Sequence, residues 1–172
     1  MDFFKLNIKD SSIIKTIYQS YSTSFPPEER RNEEQFVELF NNKKSTIFSI
    51  IMNNEMVGYL VTWKLKNAVF IEHFEILETY RNQKLGSKVL LEFSVFYPFL
   101  ILESEPSFQS EIAERRIAFY KRNNFKKIKE DYIQPAYDKD KPSLQLFLLS
   151  NFEVENIDTV VKEIHAIVYS VS

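Results

Sequence analysis

The stretch TYRNQKLGSK, residues 79–88, lies between a β-like run and a long apolar segment, and it contains Gly86, one of the 2 glycines in the chain. A strand that ends in a short loop and enters a helix directs unpaired N–H groups and the positive end of the helix dipole at one spot, which suits a phosphate group. Gly86 would let the backbone come close to such a group. The spacing matches neither a P-loop nor a dinucleotide-binding fingerprint, because no Gly-Lys-Ser/Thr follows and only one glycine is present. A plain role in helix packing is the alternative for Gly86.

Composition limits the chain to a few classes of protein. At 20.5 kDa and 44% apolar residues, it suits one globular domain. Its 22 basic and 24 acidic residues leave a net charge of −2 without a basic block, so nucleic acid is not an expected partner. The absence of cysteine excludes disulfides, thiolate metal sites and a cysteine nucleophile. The 2 histidines lie far apart, so no metal site is predicted.

The N-terminal residues and the longest apolar runs predict a cellular location. Residues 1–10, MDFFKLNIKD, lack the long apolar stretch of a signal peptide. No run reaches the ~18 apolar residues that a membrane span needs. The sequence therefore predicts a cytoplasmic protein without a membrane partner.

Apolar periodicity predicts a mixed α+β domain with the element order β-α-α-β-β-β-α-β-α-β-β-α. Asp10 or Ser11 would cap the first helix. Pro27 would start a second helix that runs through Phe40. Later in the chain, a helix is expected from about Ser107 to Arg122.

Asparagine pairs mark two of the predicted turns. Asn53-Asn54 would join two strands of a hairpin, because asparagine is common in turns. Asn123-Asn124 can supply a left-handed cap at the end of the helix that precedes it.

The C-terminal residues predict an additional helix. A helix with one apolar stripe is expected after Val154, because apolar residues recur three and four apart at Ile157, Val161, Ile164 and Val168. The chain is therefore expected to consist of a domain at 1–150 and an amphipathic helix at 151–172, which packs on the domain or forms a dimer interface. Packing within the chain is the commoner outcome for such a stripe, whereas a domain that looks complete by Ser150 favours a homodimer.

The run FEILETYRNQKLGSKVL, residues 74–90, resembles the acetyl-CoA signature of the GNAT N-acetyltransferases, an Arg/Gln-x-x-Gly-x-Gly/Ala loop. Arg81, Lys84 and Gly86 stand in the three defined positions. Lys84 replaces the family's usual first glycine, which would alter the approach of the backbone or add a positive charge beside the pyrophosphate.

A second run, RRIAFYKRNNF at residues 115–125, resembles the other signature of that family, in which an apolar residue and a tyrosine end a helix before a turn and a phenylalanine. Asn124 replaces the usual glycine, and asparagine also tolerates the left-handed conformation. An asparagine often found about seven residues before the tyrosine is Ala113 here, so the cofactor contact of that asparagine would be missing.

The resemblance covers nearly the whole chain through Ser150, and it implies a fold. That fold is an α+β, three-layer, GNAT-like acyl-CoA N-acyltransferase fold, followed here by the C-terminal helix. Its sheet is mixed and mostly antiparallel, with a splay between the fourth and fifth strands.

The same resemblance implies acetyl-CoA as co-substrate. Its pantetheine arm would lie in the splay and pair with the exposed backbone of Phe74 and Ile76, as an added strand would, and that backbone would also polarise the thioester carbonyl. The implied cofactor contacts come from Phe74, Ile76, Arg81, Gln83, Lys84, Leu85, Gly86, Ser87 and Tyr120.

Direct attack on the thioester requires a neutral amine and therefore a proton acceptor. An alkylamine pKa near ~10 leaves the amine mostly protonated at pH 7, so a nearby carboxylate is expected to take the proton, directly or through water. Glu72 is the first choice, because strand alternation would place it on the same face as Phe74. Glu103 on the next strand is the second, with Glu105 behind it. A solvated or salt-bridged carboxylate is the alternative for Glu72, and His73 would point the other way as a packed histidine.

Tyr120 is the predicted acid for the leaving thiolate. A thiol pKa near ~8.5 makes CoA a fairly good leaving group, so an acid helps without being indispensable. The family match places the Tyr120 hydroxyl near the sulfur. The alternative is a core aromatic, although Phe119 beside it already supplies the apolar contact.

The acceptor is left open by the sequence. By resemblance, SFPPEER (residues 24–30) and QPAYDKDKP (residues 134–142) would wall its site. A cationic substrate could be attracted by Glu28, Glu29, Glu72, Glu103 and Glu105. Glutamates in loops are usually only solvated, however. A small amine, a polyamine, an aminoglycoside-like compound and a protein N-terminus or lysine all fit.

The sequence thus predicts an N-acetyltransferase that moves an acetyl group from acetyl-CoA to a primary amine. A non-catalytic acyl-CoA-binding sensor or regulatory module of the same fold is the alternative, which Lys84 and Ala113 would mark. A pure interaction protein would bind no CoA at all.

Overall fold

Seven strands form one sheet in the computed structural model, which describes residues 1–170. Their bounds are β1 Asp2–Lys5, β2 Ser45–Met52, β3 Glu55–Lys64, β4 Val69–Ile76, β5 Leu100–Ser104, β6 Lys126–Gln134 and β7 Leu144–Ser150. The strands lie in the order β1-β2-β3-β4-β5-β7-β6. Neighbouring strands are antiparallel except for β4 and β5, which are parallel. The predicted mixed, mostly antiparallel sheet is therefore confirmed.

In the described part of the chain, five α-helices cover the two faces of the sheet. They are α1 Ser11–Ser24, α2 Glu33–Glu38, α3 Leu85–Phe96, α4 Glu111–Arg122 and α5 Ile157–Val168. The order of helices and strands along the chain is the predicted one. None of the helices within residues 1–170 is long and apolar enough to cross a lipid bilayer.

Two predicted helices begin later than expected, because local caps decide where a helix starts. Pro27–Glu29 forms only a 3-10 turn, and α2 begins after Asn32, which makes a capping box with Gln35. α4 begins after Ser110, whose hydroxyl accepts a hydrogen bond from the N–H of Ala113.

The predicted turns are confirmed, whereas the predicted cap of α1 is not. Asn53 and Asn54 have φ values of 52° and 65°, and Asn124 after α4 has a φ of 67°. Asp10 occupies the cap position of α1, but its side chain makes no cap hydrogen bond there. It instead accepts one from the N–H of Asn7 (2.8 Å).

The sheet separates two apolar clusters, one under α1, α2 and α5 and the other under α3 and α4. Ile164 and Val168 of α5 are buried in the first cluster, beside Tyr132 and Leu148. These two residues of α5 therefore pack into the core of their own chain. The homodimer stays a prediction.

The geometry of β4 and β5 positions the site. The two strands pair only over Val69–Ile71 and Leu100–Leu102, and then diverge. The pairing of β4 with β3 is irregular at one point: Val61 and Thr62 are adjacent on β3, but their partners on β4, His73 and Ile71, are two residues apart. The predicted splay between the fourth and fifth strands is confirmed by this pairing.

Candidate active site

A cleft of about 980 Å³ opens where β4 and β5 diverge. At one end, here called the α3 end, it is lined by the loop before α3, the first turn of α3 and one side of α4. At the other end, here called the β6 end, it is lined by the segment between α1 and α2, the last residue of β6 and Tyr137.

The open edge of β4 presents backbone groups to the cleft. Beyond Val69–Ile71, no strand among the described residues 1–170 lies beside that edge. The N–H of Leu77 donates to the carbonyl of Val57 on the β3 side (3.0 Å). Because alternate residues of an antiparallel strand bond to opposite neighbours, Phe74 and Ile76 direct their N–H and C=O groups to the open edge. The N–H and C=O groups of Phe74 and the N–H of Ile76 are therefore geometrically available, whereas the carbonyl of Ile76 already accepts a hydrogen bond from Nε of Arg81.

The first turn of α3 leaves backbone donors unpaired. The N–H groups of Leu85, Gly86 and Ser87 bond to no backbone carbonyl of residues 1–170, and all three residues line the cleft. Such donors at a helix start suit a phosphate group. Lys84, just before them, has φ 58° and ψ 13°. It thus adopts the left-handed conformation that glycine prefers, so the loop keeps its turn despite the lysine.

Gly86 also has a packing role. A Cβ atom at this position would lie 3.1 Å from Cζ of Phe119 on α4 and 3.9 Å from Cζ of Phe74. The start of α3 is therefore packed closely against the Phe119 ring, which itself lines the cleft. The packing role considered from the sequence is thus present, and the phosphate role stays a prediction.

Two predicted cofactor contacts earlier in this loop, Arg81 and Gln83, are engaged with protein groups. Arg81 donates from Nε to the carbonyl of Ile76 and from Nη2 to Oε1 of Glu75, each at 3.0 Å. It therefore fastens the loop to β4. Gln83 donates to the carbonyl of Thr79 (3.4 Å) and lies outside the lining of the cleft. Arg81 remains at the cleft surface, whereas any effect of Gln83 on a cofactor would act through the shape of the loop.

The predicted face of Glu72 is wrong, because β4 has a bulge. On β3, Val61 pairs with His73. The next residue, Thr62, pairs with Ile71, so Glu72 is the extra residue. A bulge interrupts the strict alternation of side chains and re-aims them. Glu72 consequently lies on the same side as His73, whose Nε2 is 3.8 Å from Oε1 of Glu72.

Glu72 is a buried carboxylate with a full set of partners. Its Oε1 accepts from Nε of Arg31 (3.0 Å) and from the hydroxyl of Tyr137 (2.9 Å), and its Oε2 accepts from Nε1 of Trp63 (2.5 Å). Burial by itself would raise the pKa of Glu72, but Arg31, His73 and these hydrogen bonds outweigh burial and lower that pKa. A carboxylate stabilised in this way is a weak proton acceptor.

His73 is packed among aromatic rings and also lines the cleft. Its ring centroid lies 4.8 Å from that of Tyr21 and 4.6 Å from that of Phe25. Burial, only partly opposed by Glu72, lowers the pKa of His73 to about 4, so the imidazole is neutral at pH 7. The predicted packing is confirmed, whereas the prediction that His73 points away from Glu72 is wrong.

Glu103 is the carboxylate of β5 that lines the cleft. The hydroxyls of Tyr132 and Tyr169 donate to its two oxygens, the second at 2.8 Å. Burial raises the pKa of Glu103 to about 8, in spite of these hydrogen bonds, and the charge of Glu72 adds to the increase. The pKa of Glu103 is therefore near physiological pH while that of Glu72 is low, a separation that indicates different roles for the two groups.

Tyr120 lines the cleft from the last turn of α4. Its ring packs against Phe119 and Phe125, with centroid distances of 5.2 and 5.8 Å. Burial raises the pKa of the Tyr120 hydroxyl, and nearby Arg116 opposes the increase only in part. The hydroxyl thus keeps its proton at neutral pH and can act as a donor.

The two segments predicted to wall the acceptor do line the β6 end. They contribute Ser24, Phe25 and Glu29 from the first segment and Gln134 and Tyr137 from the second. Nζ of Lys141 donates to the carbonyl of Arg30 (2.6 Å) and so ties the two segments together. Glu28 lies outside the lining of the cleft.

Several carboxylates lie close together at the β6 end. Glu105 lines it and is paired with Arg116, whose Nη1 lies 2.6 Å from Oε2. Burial, followed by the charge of Glu105, raises the pKa of Glu29, which shows that carboxylates are crowded here. These groups would attract an amine cation. Within residues 1–170, no group of three or more His, Cys, Asp or Glu side chains could hold a metal ion.

Sequence reasoning missed Arg31, which organises the β6 end. Its guanidinium lies over the rings of Trp63 and Tyr137, 5.3 and 5.0 Å from their centroids. Its Nη2 donates to the carbonyl of Val168 at the end of α5 (2.8 Å). This contact joins the segment after α1 to the C-terminal helix.

Sequence reasoning also missed the tyrosines that hold Glu103. Tyr132 lies on β6 and Tyr169 directly follows α5, so neither is near Glu103 in sequence. Tyr169 also packs against Tyr137, with ring centroids 5.4 Å apart. The only signal in the sequence was the recurrence of tyrosine in these segments. The residue after the C-terminal helix therefore contacts a carboxylate that lines the cleft, which the division at Ser150 did not anticipate.

Comparisons with known proteins agree with this geometry. Residues 14–94 match the family model described as Acetyltransferase (GNAT) family. A protein assigned to the GNAT family from Bacteroides thetaiotaomicron is 26% identical over 100% of both chains, with a TM-score of 0.94. No curated protein sequence matches the chain at a significant level.

More distant solved structures share the fold. The ribosomal-protein-S18-alanine N-acetyltransferase of Escherichia coli is 17% identical and has a TM-score of 0.62, over 91% of this chain and 97% of the other. An aminoglycoside 6'-N-acetyltransferase complexed with coenzyme A is 9% identical and has a TM-score of 0.61, over 91% and 100%. The resemblance and the fold expected from the sequence are confirmed.

Proposed function

We propose that this chain, which has the GNAT fold, transfers an acetyl group from acetyl-CoA to a primary amine by direct attack. The observation that carries the proposal is one continuous cleft that joins the open edge of β4, the unpaired donors of α3, Tyr120 and Glu103. One similar structure contains coenzyme A. Similar proteins are named for acceptors as different as a protein alanine and an aminoglycoside, so the fold leaves the acceptor open.

Acetyl-CoA would lie along the α3 end. Its pyrophosphate would accept hydrogen bonds from the N–H groups of Leu85, Gly86 and Ser87, where the helix dipole also favours negative charge. Its pantetheine arm would pair with the backbone of Phe74 and Ile76 as an added strand. Most of these contacts are made by backbone, so they depend on the shape of the loop more than on its side chains.

Glu103 is the proposed proton acceptor, in place of Glu72. The low pKa of Glu72 and its contact with Arg31 suit a structural ion pair. The pKa of about 8 makes Glu103 a stronger base than Glu72. The ammonium first gives one proton to Glu103, directly or through water. The neutral nitrogen then attacks the thioester carbon and forms the C–N bond, and its second proton passes to water as the intermediate collapses.

Tyr120 is the proposed acid in the second half of the reaction. When the C–S bond breaks, the electron pair goes to sulfur, and the Tyr120 hydroxyl gives its proton to the thiolate. The phenolate that remains is a stronger base than the thiolate, because a phenol has a higher pKa than a thiol. It therefore regains a proton from solvent or from protonated Glu103 before the next turnover. The buried, protonated state of the Tyr120 hydroxyl supports this role.

Tyr132 and Tyr169 are proposed as positioning residues for Glu103. Each donates a hydrogen bond to one carboxylate oxygen, so together they fix the orientation of the carboxylate. Hydrogen bonds to the ionised form also keep the pKa of Glu103 lower than burial alone would set it.

The proposal is tested by measuring thiol release from acetyl-CoA with a panel of primary amines. We expect amine-dependent release of CoA in wild-type protein, and its loss in Glu103→Gln with acetyl-CoA affinity retained. Tight acetyl-CoA binding without release for any amine would instead support the non-catalytic sensor. Absence of acetyl-CoA binding would overturn both.

A further inference from the structure

Glu75 is a buried carboxylate that joins the two ends of the cleft. It lies on β4 between Phe74 and Ile76, the two residues proposed to pair with pantetheine, and it is 5% exposed. Within residues 1–170, its oxygens accept hydrogen bonds from four side chains, which are Ser20, Ser24, Tyr59 and Arg81. A carboxylate has about four acceptor sites, so these donors occupy it fully. The carboxylate is therefore held in one orientation.

On one side, Glu75 fastens the loop that precedes α3. Nη2 of Arg81 donates to Oε1 of Glu75, and Nε of the same guanidinium donates to the carbonyl of Ile76, each at 3.0 Å. The guanidinium therefore holds two consecutive residues of β4. Residues 82–87 follow directly along the chain and include the N–H donors proposed to bind the pyrophosphate. Glu75 thus helps to fix the place where this loop leaves the strand.

On the other side, Glu75 fastens the C-terminal turn of α1. Its Oε1 accepts from the hydroxyls of Ser20 (3.0 Å) and Ser24 (2.5 Å), which lie one helical turn apart. Ser24 is the last residue of α1 and begins the segment that lines the β6 end. Arg81 also donates to the Ser24 hydroxyl (3.3 Å). The cofactor loop and the wall of the acceptor site are therefore held by the same oxygen atom.

Tyr59 holds Glu75 from the interior of the protein. Its hydroxyl donates to Oε2 of Glu75 (2.6 Å), and its side chain is fully buried outside the lining of the cleft. Burial, followed by the charge of Glu75, raises the pKa of Tyr59, so the hydroxyl keeps the proton that it donates. Oε2 is thus bonded to the core, while Oε1 is bonded to the loop and to α1.

We propose that Glu75 is a positioning residue for acetyl transfer, which fixes the cofactor loop and the acceptor wall relative to each other. Its carboxylate takes no part in the proton transfers, because protein donors occupy its acceptor sites. Direct attack needs both substrates in register, and a small misplacement lowers the rate strongly. The inference rests on the proposed function, since it assumes acetyl-CoA at the α3 end and an amine at the β6 end.

Glu75→Gln tests this role with little change of shape. Glutamine has the same length and still accepts hydrogen bonds, but it lacks the charge that pairs with Arg81. We expect acetyl-CoA to bind about 10-fold more weakly in titration calorimetry, and the KM for the amine to rise by a similar factor. The pH at which kcat/KM rises should not change, because Glu103 is untouched. Glu163→Gln, the same change in a hydrogen-bonded carboxylate outside the cleft, is the control.

A double variant shows whether Glu75 acts on the cofactor through Arg81. Arg81→Met removes the guanidinium, so adding Glu75→Gln should weaken acetyl-CoA binding no further. The KM for the amine should still rise, because the bonds from the two serines of α1 lose their charged acceptor.

Tyr59→Phe provides a second route to the same carboxylate, and it keeps the test open if Glu75→Gln does not fold. The change keeps the buried ring and removes only the hydrogen bond to Oε2. We expect acetyl-CoA affinity to fall and the amine KM to rise, each by about 3-fold, because Glu75 is held less firmly.

The outcomes separate this inference from the proposed function. A lower melting temperature of Glu75→Gln, with unchanged acetyl-CoA affinity and amine KM, would indicate a purely structural role and overturn the inference. Tighter acetyl-CoA binding in Glu75→Gln would also overturn it, because Glu75 would then hold Arg81 back from the cofactor. So would an additive loss of affinity in the double variant. All three results would leave acetyl transfer standing, whereas wild-type protein that binds no acetyl-CoA would remove the proposed function itself.

Discussion

The α3 end and the β6 end of the cleft are built in different ways. The α3 end is made by consecutive residues, 84–87, and by the free edge of one strand, and it offers mainly backbone donors and acceptors. The β6 end is made by side chains from β4, β5, β6 and the segment after α1, and Tyr169 after α5 supports it through Glu103. Backbone sites depend on conformation, whereas side-chain sites depend on every element that contributes to them.

The difference extends to charge. At the β6 end, Arg31 and Trp63 hold Glu72 ionised, while Tyr132 and Tyr169 hold a neighbouring carboxylate whose pKa is raised to about 8. Two similar side chains thus receive opposite electrostatic environments within one cleft. We infer that the first carboxylate supports the structure and the second takes part in proton transfer.

Among the changes at the α3 end of the cleft, replacing Tyr120, the proposed acid, should lower turnover the most. Tyr120→Phe keeps the ring and its packing on Phe119 and Phe125 but removes the proton. We expect turnover to fall by about 10²-fold while acetyl-CoA affinity is nearly unchanged. Tyr97→Phe, the same change outside this cleft, serves as the control. Full activity of Tyr120→Phe would mean that water or the substrate protonates the sulfur.

A change in backbone packing should affect only the α3 end. Gly86→Val would press on the Phe119 ring, 3.1 Å from the new Cβ, and would disturb the first turn of α3. We expect acetyl-CoA to bind about 10- to 100-fold more weakly in titration calorimetry, roughly 1.4 to 3 kcal/mol. Adding Phe119→Ala should recover part of this loss.

Lys84→Gly is the matched control in the same loop. Glycine accepts the left-handed conformation of this position without strain, so the turn should be retained and the stability raised by roughly 1 kcal/mol. Wild-type affinity in Gly86→Val, with the fold intact, would show that the cofactor does not use the start of α3.

The way these two ends are built also explains what the sequence could predict. The β-loop-helix pattern around Gly86 is local, so the strand, the turn and the helix start could all be expected from residues 74–90. The face of Glu72 could not, because one bulged residue in β4 reverses the alternation on which the prediction relied. Tyr169 was missed for another reason: its contact with Glu103 spans 66 residues and depends on where α5 packs.

A smaller effect is expected from the residue after the C-terminal helix. Tyr169→Phe removes one hydrogen bond that favours ionised Glu103, so the pKa of Glu103 should rise further. At pH 7 we expect kcat/KM to fall several-fold, and the deficit should vanish at alkaline pH, where the carboxylate is ionised in both proteins. Tyr18→Phe, a change in the core near α2, is the control. A deficit of the same size at every pH would indicate a purely structural role for Tyr169.

The distinction between the two carboxylates also predicts how stability depends on pH. Because the pKa of Glu103 is raised in the folded protein, the unfolded chain releases this proton first as the pH increases. Glu103 should therefore lower the free energy of unfolding progressively between about pH 4.5 and pH 8. Glu103→Gln should lose this contribution, since glutamine does not titrate.

The pH dependence of kcat/KM in wild type, Glu103→Gln and Glu72→Gln tests the central claim most directly. In wild type the rate should rise with pH through about 8, as Glu103 becomes ionised. Glu103→Gln should lose this rise and recover only as the pH approaches the pKa of the amine itself. Glu72→Gln should melt at a lower temperature, because Arg31 is left buried without its carboxylate, yet its profile should run parallel to that of wild type. The opposite result, with the rise lost in Glu72→Gln and retained in Glu103→Gln, would contradict the assignment of the base to β5.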